Sequence, residues 1–262
     1  MKLFTPYRAV SRGVTLGLGL AVWALVIGAW TLVTYGGQVP EMFLPAPGKV
    51  VTTAVKMATD GSLWLHTWAS AQVVLTGFAV SSLVAIPLGL YMGTYRVVQA
   101  GLEPLVNFIR YLPVTSFVPL FILWIGIGFQ QHIAVIIFGT FFQQLVMVAD
   151  SARSVPRDLV NAAYTLGTTK SETVRQIVFP YTLPGVLDVL RVTMGWAWTY
   201  LVVAELVAAK AGLGYISLKA ARGFQVDIIF LAIAMIGLLG LLTDQGFRLA
   251  RRLVAPWAEN MR

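Results

Sequence analysis

Residues 70–95 read SAQVVLTGFAVSSLVAIPLGLYMGTY, an apolar run with no Asp, Glu, Lys or Arg. At a rise of about 1.5 Å per residue, roughly 20 such residues cross the hydrocarbon core of a bilayer as a helix. Five further stretches qualify by length and apolarity: 13–34, 112–128, 133–149, 185–209 and 228–247. The first is too long for the core of a signal peptide, and no small-residue cleavage pattern follows it. Over its 262 residues the chain is 58% hydrophobic and 11% charged, whereas an ordinary globular domain is about 45–50% apolar and about 25% charged. Mean hydropathy is +0.78. A soluble domain keeps a charged exterior and cannot cover that much apolar surface. The strands of a β-barrel alternate and carry more polar residues than this. The expected fold is an all-α membrane protein with six transmembrane helices.

Charge orients it. The net charge is +8, from 19 Lys and Arg against 11 Asp and Glu. With the N-terminus cytoplasmic, the inner segments hold Lys2, Arg8, Arg12, Arg96, Arg110, Arg153, Arg157, Lys170, Arg175, Arg191, Arg248, Arg251, Arg252 and Arg262. The outer segments hold only Lys49, Lys56, Lys210, Lys219 and Arg222. This bias places both termini in the cytoplasm, and it explains the basic character without a nucleic-acid partner. With no cysteine, the chain offers no disulfide, zinc thiolate or thiol nucleophile.

The two long loops differ. The outer one, 35–68, carries Pro40, Pro45 and Pro47 and then a predicted interfacial helix over 49–59. The inner one, 150–184, is the longest cytoplasmic segment and mixes charge with helix formers, as a docking site for a soluble partner requires. Neither is long enough for a separate domain, so residues 1–262 read as one membrane domain with 150–184 as its cytoplasmic loop. The run Gly167-Thr168-Thr169-Lys170-Ser171 lacks the spacing and second glycine of a P-loop. His66 and His132 lie on different segments with no carboxylate cluster beside them, so neither a metal site nor a catalytic residue is expected.

Within the spans, Glu205 is the clearest intramembrane charge. It reads either as a pathway group facing the bundle interior or as a structural carboxylate paired with a loop cation such as Lys210. Asp188 and Arg191, three residues apart, are expected to pair on one helix face, and Asp150 and Asp244 to be solvated at inner span ends. A proton- or sodium-driven carrier needs several such groups near the midplane; their scarcity argues against a stand-alone secondary transporter or channel, the alternative reading. Neutral polar residues are present instead: Thr115, Ser116, Gln143, Gln144, Thr199 and Tyr200. These suit a path for a hydrated solute, or else interhelical hydrogen bonding. The pairs Gly13/Gly17 and Gly89/Gly93 allow close helix contact, and Pro87, Pro113 and Pro119 interrupt two spans. Lys210, Lys219 and Arg222 near the outer mouth either attract anions or an acidic protein surface, or are simply solvated.

The inner loop carries the strongest signal. Residues 158–167 read DLVNAAYTLG, followed by nine residues and then Ile177-Val178-Phe179-Pro180. Gly167 is placed to end a helix in a left-handed conformation, and Pro180 and Pro184 mark the entry into the next span. The pattern resembles the E-A-A-x-x-x-G-x9-I-x-L-P signature of the permease subunits of bacterial ABC importers. Ala162, Ala163, Gly167, Ile177 and Pro180 match; Asn161 replaces the Glu and Phe179 the Leu. The resemblance covers most of the chain. Phe43-Leu44-Pro45-Ala46-Pro47, Arg110-Tyr111-Leu112-Pro113, residues 118–128, and Ala204-Glu205 with Gly212-Leu213-Gly214-Tyr215 are similar to elements of the nitrate/sulfonate/taurine branch. That branch often has a Lys shortly after Gly-Ile-Gly, where His132 stands here.

The resemblance implies a type I importer permease in the bacterial inner membrane, working as a homodimer. Its partners are two ATP-binding subunits and an extracytoplasmic substrate-binding protein, with membrane lipid around it. ATP and Mg belong to the partner ATPase, and this chain carries no cofactor. By resemblance, Asp158, Asn161, Ala162, Ala163, Gly167 and Pro180 couple to the ATPase, with Asp158 standing in for the carboxylate that Asn161 lacks. Thr115, Ser116, Gln143, Gln144, Thr199, Tyr200 and Glu205 are the expected pathway residues. The implied solute is a small anion, although other members of the broad branch carry heterocyclic vitamins.

Overall fold

The computed structural model describes residues 11–207 and 209–259, so Lys2, Arg8 and Arg262 lie outside the described residues. In chain order the helices are α1 (Arg12–Tyr35), α2 (Pro47–Thr59), α3 (Ser62–Thr94), α4 (Arg96–Ile109), α5 (Val114–Ile125), α6 (Phe129–Arg153), α7 (Arg157–Thr165), α8 (Lys170–Thr173), α9 (Phe179–Leu206), α10 (Leu213–Arg222) and α11 (Val226–Val254). No strand occurs among the described residues.

Five of these form runs long and apolar enough to cross a bilayer: Gly13–Tyr35, Ser62–Thr94, Phe129–Arg153, Lys170–Leu206 and Val226–Val254. The stretch 112–128 differs from a single straight span. It forms α5, only 12 residues long, or about 18 Å at 1.5 Å per residue. Pro113 precedes it, and Gly126 at φ 90° and Gly128 at φ 141° follow it. Together α4 and α5 make one broken element bent by 96°. The entry to α9 also differs from the expected break. A π-helical turn, Val174–Val178, joins α8 to α9 without interruption. It widens the helix where the ring of Pro180 would otherwise meet the carbonyl four residues before it.

The core is the parallel pair α3 and α6. A Cβ placed on Gly77 would lie 2.7 Å from the Cβ of Ile136; one on Gly89 would lie 2.8 Å from the Leu145 carbonyl; one on Gly93 would lie 2.6 Å from the Cβ of Ala152. Hydrogen alone fits at these positions, so the two backbones approach closely along most of their length. Inside this contact Ser81 Oγ donates to Gln144 Oε1 at 2.8 Å, and Gln144 Nε2 donates to Ser82 Oγ at 3.1 Å and to Thr193 Oγ1 at 3.2 Å. The fully buried Gln144 thereby ties α9 to the α3–α6 pair.

α11 packs on the other side of α9. Trp198 Nε1 donates to Thr243 Oγ1 at 3.1 Å. Asp188 and Arg191 do not pair with each other: Arg191 binds Asp244, and Asp188 accepts from Arg251 at 2.7 Å. Asp244 is likewise not left to solvent, since Arg248 also reaches it at 2.9 Å. Helical spacing placed the charges correctly, but the facing helix offered each a better-aligned partner.

α1 stands apart. Trp30 stacks on Phe230 at 5.6 Å and donates to the Pro45 carbonyl at 3.0 Å. A Cβ placed on Gly13 or Gly17, by contrast, would meet nothing within 4 Å among the described residues. Gly89→Leu is therefore expected to lower the thermal stability of the purified protein by the equivalent of about 1–3 kcal/mol through overpacking, while Gly17→Leu leaves it unchanged. Melting of both variants in detergent, followed by tryptophan fluorescence, checks this.

Candidate functional site

Three structures hold the residues singled out in the sequence. The first is the helical knob between α6 and α9. α7 starts after Pro156, with Asp158 in its first turn, where a carboxylate complements the helix dipole. It ends at Leu166, and Gly167 takes φ 84°. The Gly167 amide donates to the Tyr164 carbonyl at 3.0 Å and the Thr168 amide to the Ala163 carbonyl at 3.2 Å. This is the paired closure of a Schellman cap. Two residues on, a capping box opens α8: the Thr169 amide donates to Glu172 at 2.8 Å, and the Glu172 amide to Thr169 Oγ1 at 3.3 Å. Both ends of the turn are thus pinned. Ala163 is buried against the body, whereas Asp158, Asn161, Ala162 and Gly167 are exposed. Asn161 borders a cleft of about 650 Å³ between α7 and the α3–α4 corner. Pro180 lies in the first turn of α9, half-buried.

The second structure is a cavity of about 440 Å³ between α6, α9 and the α4–α5 break. Thr115, Gln143, Thr199 and Tyr200 line it together. The Tyr200 ring lies flat over α6 because residue 139 is glycine; any Cβ there would collide with it. Ser116 and Gln144 do not reach the cavity, and Gln144 belongs to the core described above. Two lining residues with polar groups, Trp196 and Arg110, are not among the expected pathway residues. Trp196 read as one more apolar residue of a span. Arg110 was counted with the inner-loop charges, yet it sits at the break itself, level with the middle of α6. The only signal for it was its place directly before Tyr111-Leu112-Pro113.

The third structure holds Glu205 as a structural carboxylate, with partners other than Lys210. The side chain is 1% exposed and does not line the cavity. It accepts from Ser70 Oγ at 2.7 Å and from the Gly214 amide at 2.7 Å, while Ser70 Oγ accepts the Leu213 amide at 2.8 Å. The carboxyl thus caps the N-terminus of α10, where helix amides lack internal partners. Lys210 takes no part. Alongside, His66 Nδ1 accepts the Gly212 amide at 3.1 Å. Gly212 holds φ 132° against the carboxyl group, so no side chain fits there. His132 is also buried, its Nε2 3.4 Å from the Val207 carbonyl, away from the cavity.

Long apolar helices packed around a cavity whose largely apolar wall carries a few polar groups, with a capped helical knob on one end, fit the membrane-embedded subunit of a transport system. Residues 85–255 match the family described as "binding-protein-dependent transport system inner membrane component", and the chain belongs to that family. A probable ABC transporter permease protein of Brucella abortus (strain 2308) is 36% identical over 244 residues, covering 93% of this chain and 96% of the relative. The taurine transport system permease protein TauC of Escherichia coli (strain K12) is 30% identical over 253 residues, covering 95% and 91%. A chain of the MetNI methionine ABC transporter in an inward-facing crystal form has the same fold, with a TM-score of 0.65 over 73% of this chain and 97% of that one, at 22% identity. The protein is thus the multi-pass inner-membrane permease subunit of an ABC importer. It is not itself an enzyme: ATP hydrolysis belongs to separate subunits, and a substrate-binding protein delivers the solute.

The Glu205 contacts imply that Glu205→Ala costs roughly 1–3 kcal/mol by stranding buried donors and lowers the melting temperature of the purified chain. Glu205→Gln keeps one acceptor, for the Gly214 amide, and turns its NH2 toward Ser70 Oγ as a donor; it is expected to retain more of the stability and the transport rate than Glu205→Ala. Size-exclusion profiles after graded heating separate the two.

Proposed function

We propose that two copies of this chain form the translocation path for a small anion of the sulfonate type, with both termini in the cytoplasm and lipid around the bundle. The observation that carries the coupling assignment is the build of α7: one buried alanine anchors it to the body, both ends of its turn are capped, and its remaining face is exposed. A knob held this rigidly passes the motion of a bound ATPase to α6 and α9 instead of absorbing it. Asp158, Asn161, Ala162, Ala163 and Gly167 form the knob, and Pro180 begins the helix that carries the motion upward. Asp158 offers the carboxylate that Asn161 lacks. ATP and Mg reside on the partner, and the chain works as one domain with 150–184 as its coupling loop.

The anion assignment rests on two facts. The cavity wall contains hydroxyls, an amide and an arginine but no carboxylate, and relatives over nearly the whole chain are named for taurine, whose anionic group is a sulfonate, and for aliphatic sulfonates. Thr115, Gln143, Thr199 and Tyr200 contact the passing solute, whereas Gln144 and Glu205 support the walls and Ser116 lies exposed on α5 outside the cavity.

Gly167→Arg and Ala162→Glu test the coupling. Both variants are expected to insert in the membrane at normal levels. Both lose the P-loop protein that co-purifies with the native chain in mild detergent, identified by mass spectrometry, and both lose ATP-driven uptake. Normal uptake by both variants removes α7 from the coupling role.

A further inference from the structure

We propose that Arg110 is the anion-recognition residue of the translocation cavity, a role that rests on the anion reading above. Its position follows from the chain break. α4 ends at Ile109, α5 starts at Val114, and the 96° bend between them turns the intervening residues toward α6 and α9. Arg110 is one of the residues that form the cavity wall there. Its Nη2 donates to Tyr111 Oη at 2.9 Å, and its Cζ lies 4.8 Å from the Tyr111 ring centre. Its Nε is buried and has no partner.

Among the described residues no carboxylate pairs with Arg110. The one acid on α4, Glu103, is held by Gln99 at 2.6 Å and Arg153 at 3.3 Å. The other partly buried arginines facing neighbouring helices, Arg191 and Arg251, are each matched to an aspartate. An unmatched guanidinium beside a low-dielectric cavity is expensive unless a mobile anion visits it. The same cavity wall carries residues able to donate to a tetrahedral oxyanion: the hydroxyls of Thr115 and Tyr200, the amide of Gln143 and the indole N–H of Trp196. Arginine binds such a group through two parallel N–H bonds. The absence of any carboxylate from the wall leaves no fixed competitor, so the anion is held briefly and released. The same chemistry is offered by the headgroup of an anionic lipid, and the experiment separates the two sources.

The test uses the whole complex, with permease, ATPases and binding protein, reconstituted in liposomes of zwitterionic lipid and, in parallel, in liposomes containing phosphatidylglycerol. Uptake of labelled taurine and binding-protein-stimulated ATP hydrolysis are measured for the native chain, Arg110→Gln and Arg110→Lys. Loss of a charge-assisted hydrogen bond predicts a fall in uptake of about tenfold or more for Arg110→Gln. Hydrolysis is expected to stay within about twofold of native, and Arg110→Lys to restore part of the uptake with a raised KM, in both lipids. Native uptake by Arg110→Gln overturns the assignment, as does a parallel loss of uptake and hydrolysis that Arg110→Lys does not repair. A defect confined to phosphatidylglycerol liposomes assigns Arg110 to lipid instead. If the native complex carries a neutral organic solute and no sulfonate, the anion reading itself falls and takes this role with it. Normal native uptake of taurine with an unaffected Arg110→Gln removes only the role of Arg110.

Discussion

The close approach of α3 and α6 is the constraint on which the rest of the structure depends. Lipid is as apolar as leucine, so burial of greasy side chains does not by itself hold membrane helices together. Packing and internal hydrogen bonds must do so. Gly77, Gly89 and Gly93 remove the side chains that would keep the backbones apart. Ser81, Ser82 and Gln144 then join the two helices where no water competes, and Thr193 brings in α9. Every other element is placed relative to this three-helix frame. α11 lies on α9 through two ion pairs and the Trp198–Thr243 bond, and α10 is fastened by Glu205.

Against that rigid frame the broken α4–α5 element creates the cavity. A straight helix through 112–128 would have packed its side chains against α6 as the other helices do. Pro113 on one side and Gly126 and Gly128 on the other shorten the helix. The turn that results exposes backbone and Arg110 beside the middle of α6. Irregular backbone at such depth is tolerated where it borders a cavity or is buried in protein. Gly139 completes the wall by letting the Tyr200 ring lie on α6.

The knob between α6 and α9 obeys a different logic. α7 is too short to be stable by propensity alone. It is held by its Schellman cap, by the capping box that follows, and by Ala163 packed on the body. The π-helical turn before Pro180 joins this region to α9 without a break. The helical run that starts at Lys170 therefore continues unbroken to the cavity wall at Trp196, Thr199 and Tyr200.

Periodicity and composition alone determined that the chain is helical and membrane-embedded, where its long helices run, and that 158–167 forms a short helix ended by Gly167. Those features depend on local hydrophobicity and on the backbone freedom of one glycine, both written residue by residue. The family signature was legible for the same reason. Which polar residues meet was decided by tertiary structure. Thr115, Gln143, Thr199 and Tyr200 share a wall, while Gln144, one residue from Gln143, points into the core because a step of one residue turns a helix by about 100°. Asp188 and Arg191 satisfied the spacing rule yet pair across to α11. Glu205 found its partners on α3 and on the amides of α10. Arg110 read as one more inner charge, since its distinction lies in the missing carboxylate around it. Partners drawn from distant segments leave no local mark, so these roles became visible only once the helices were packed.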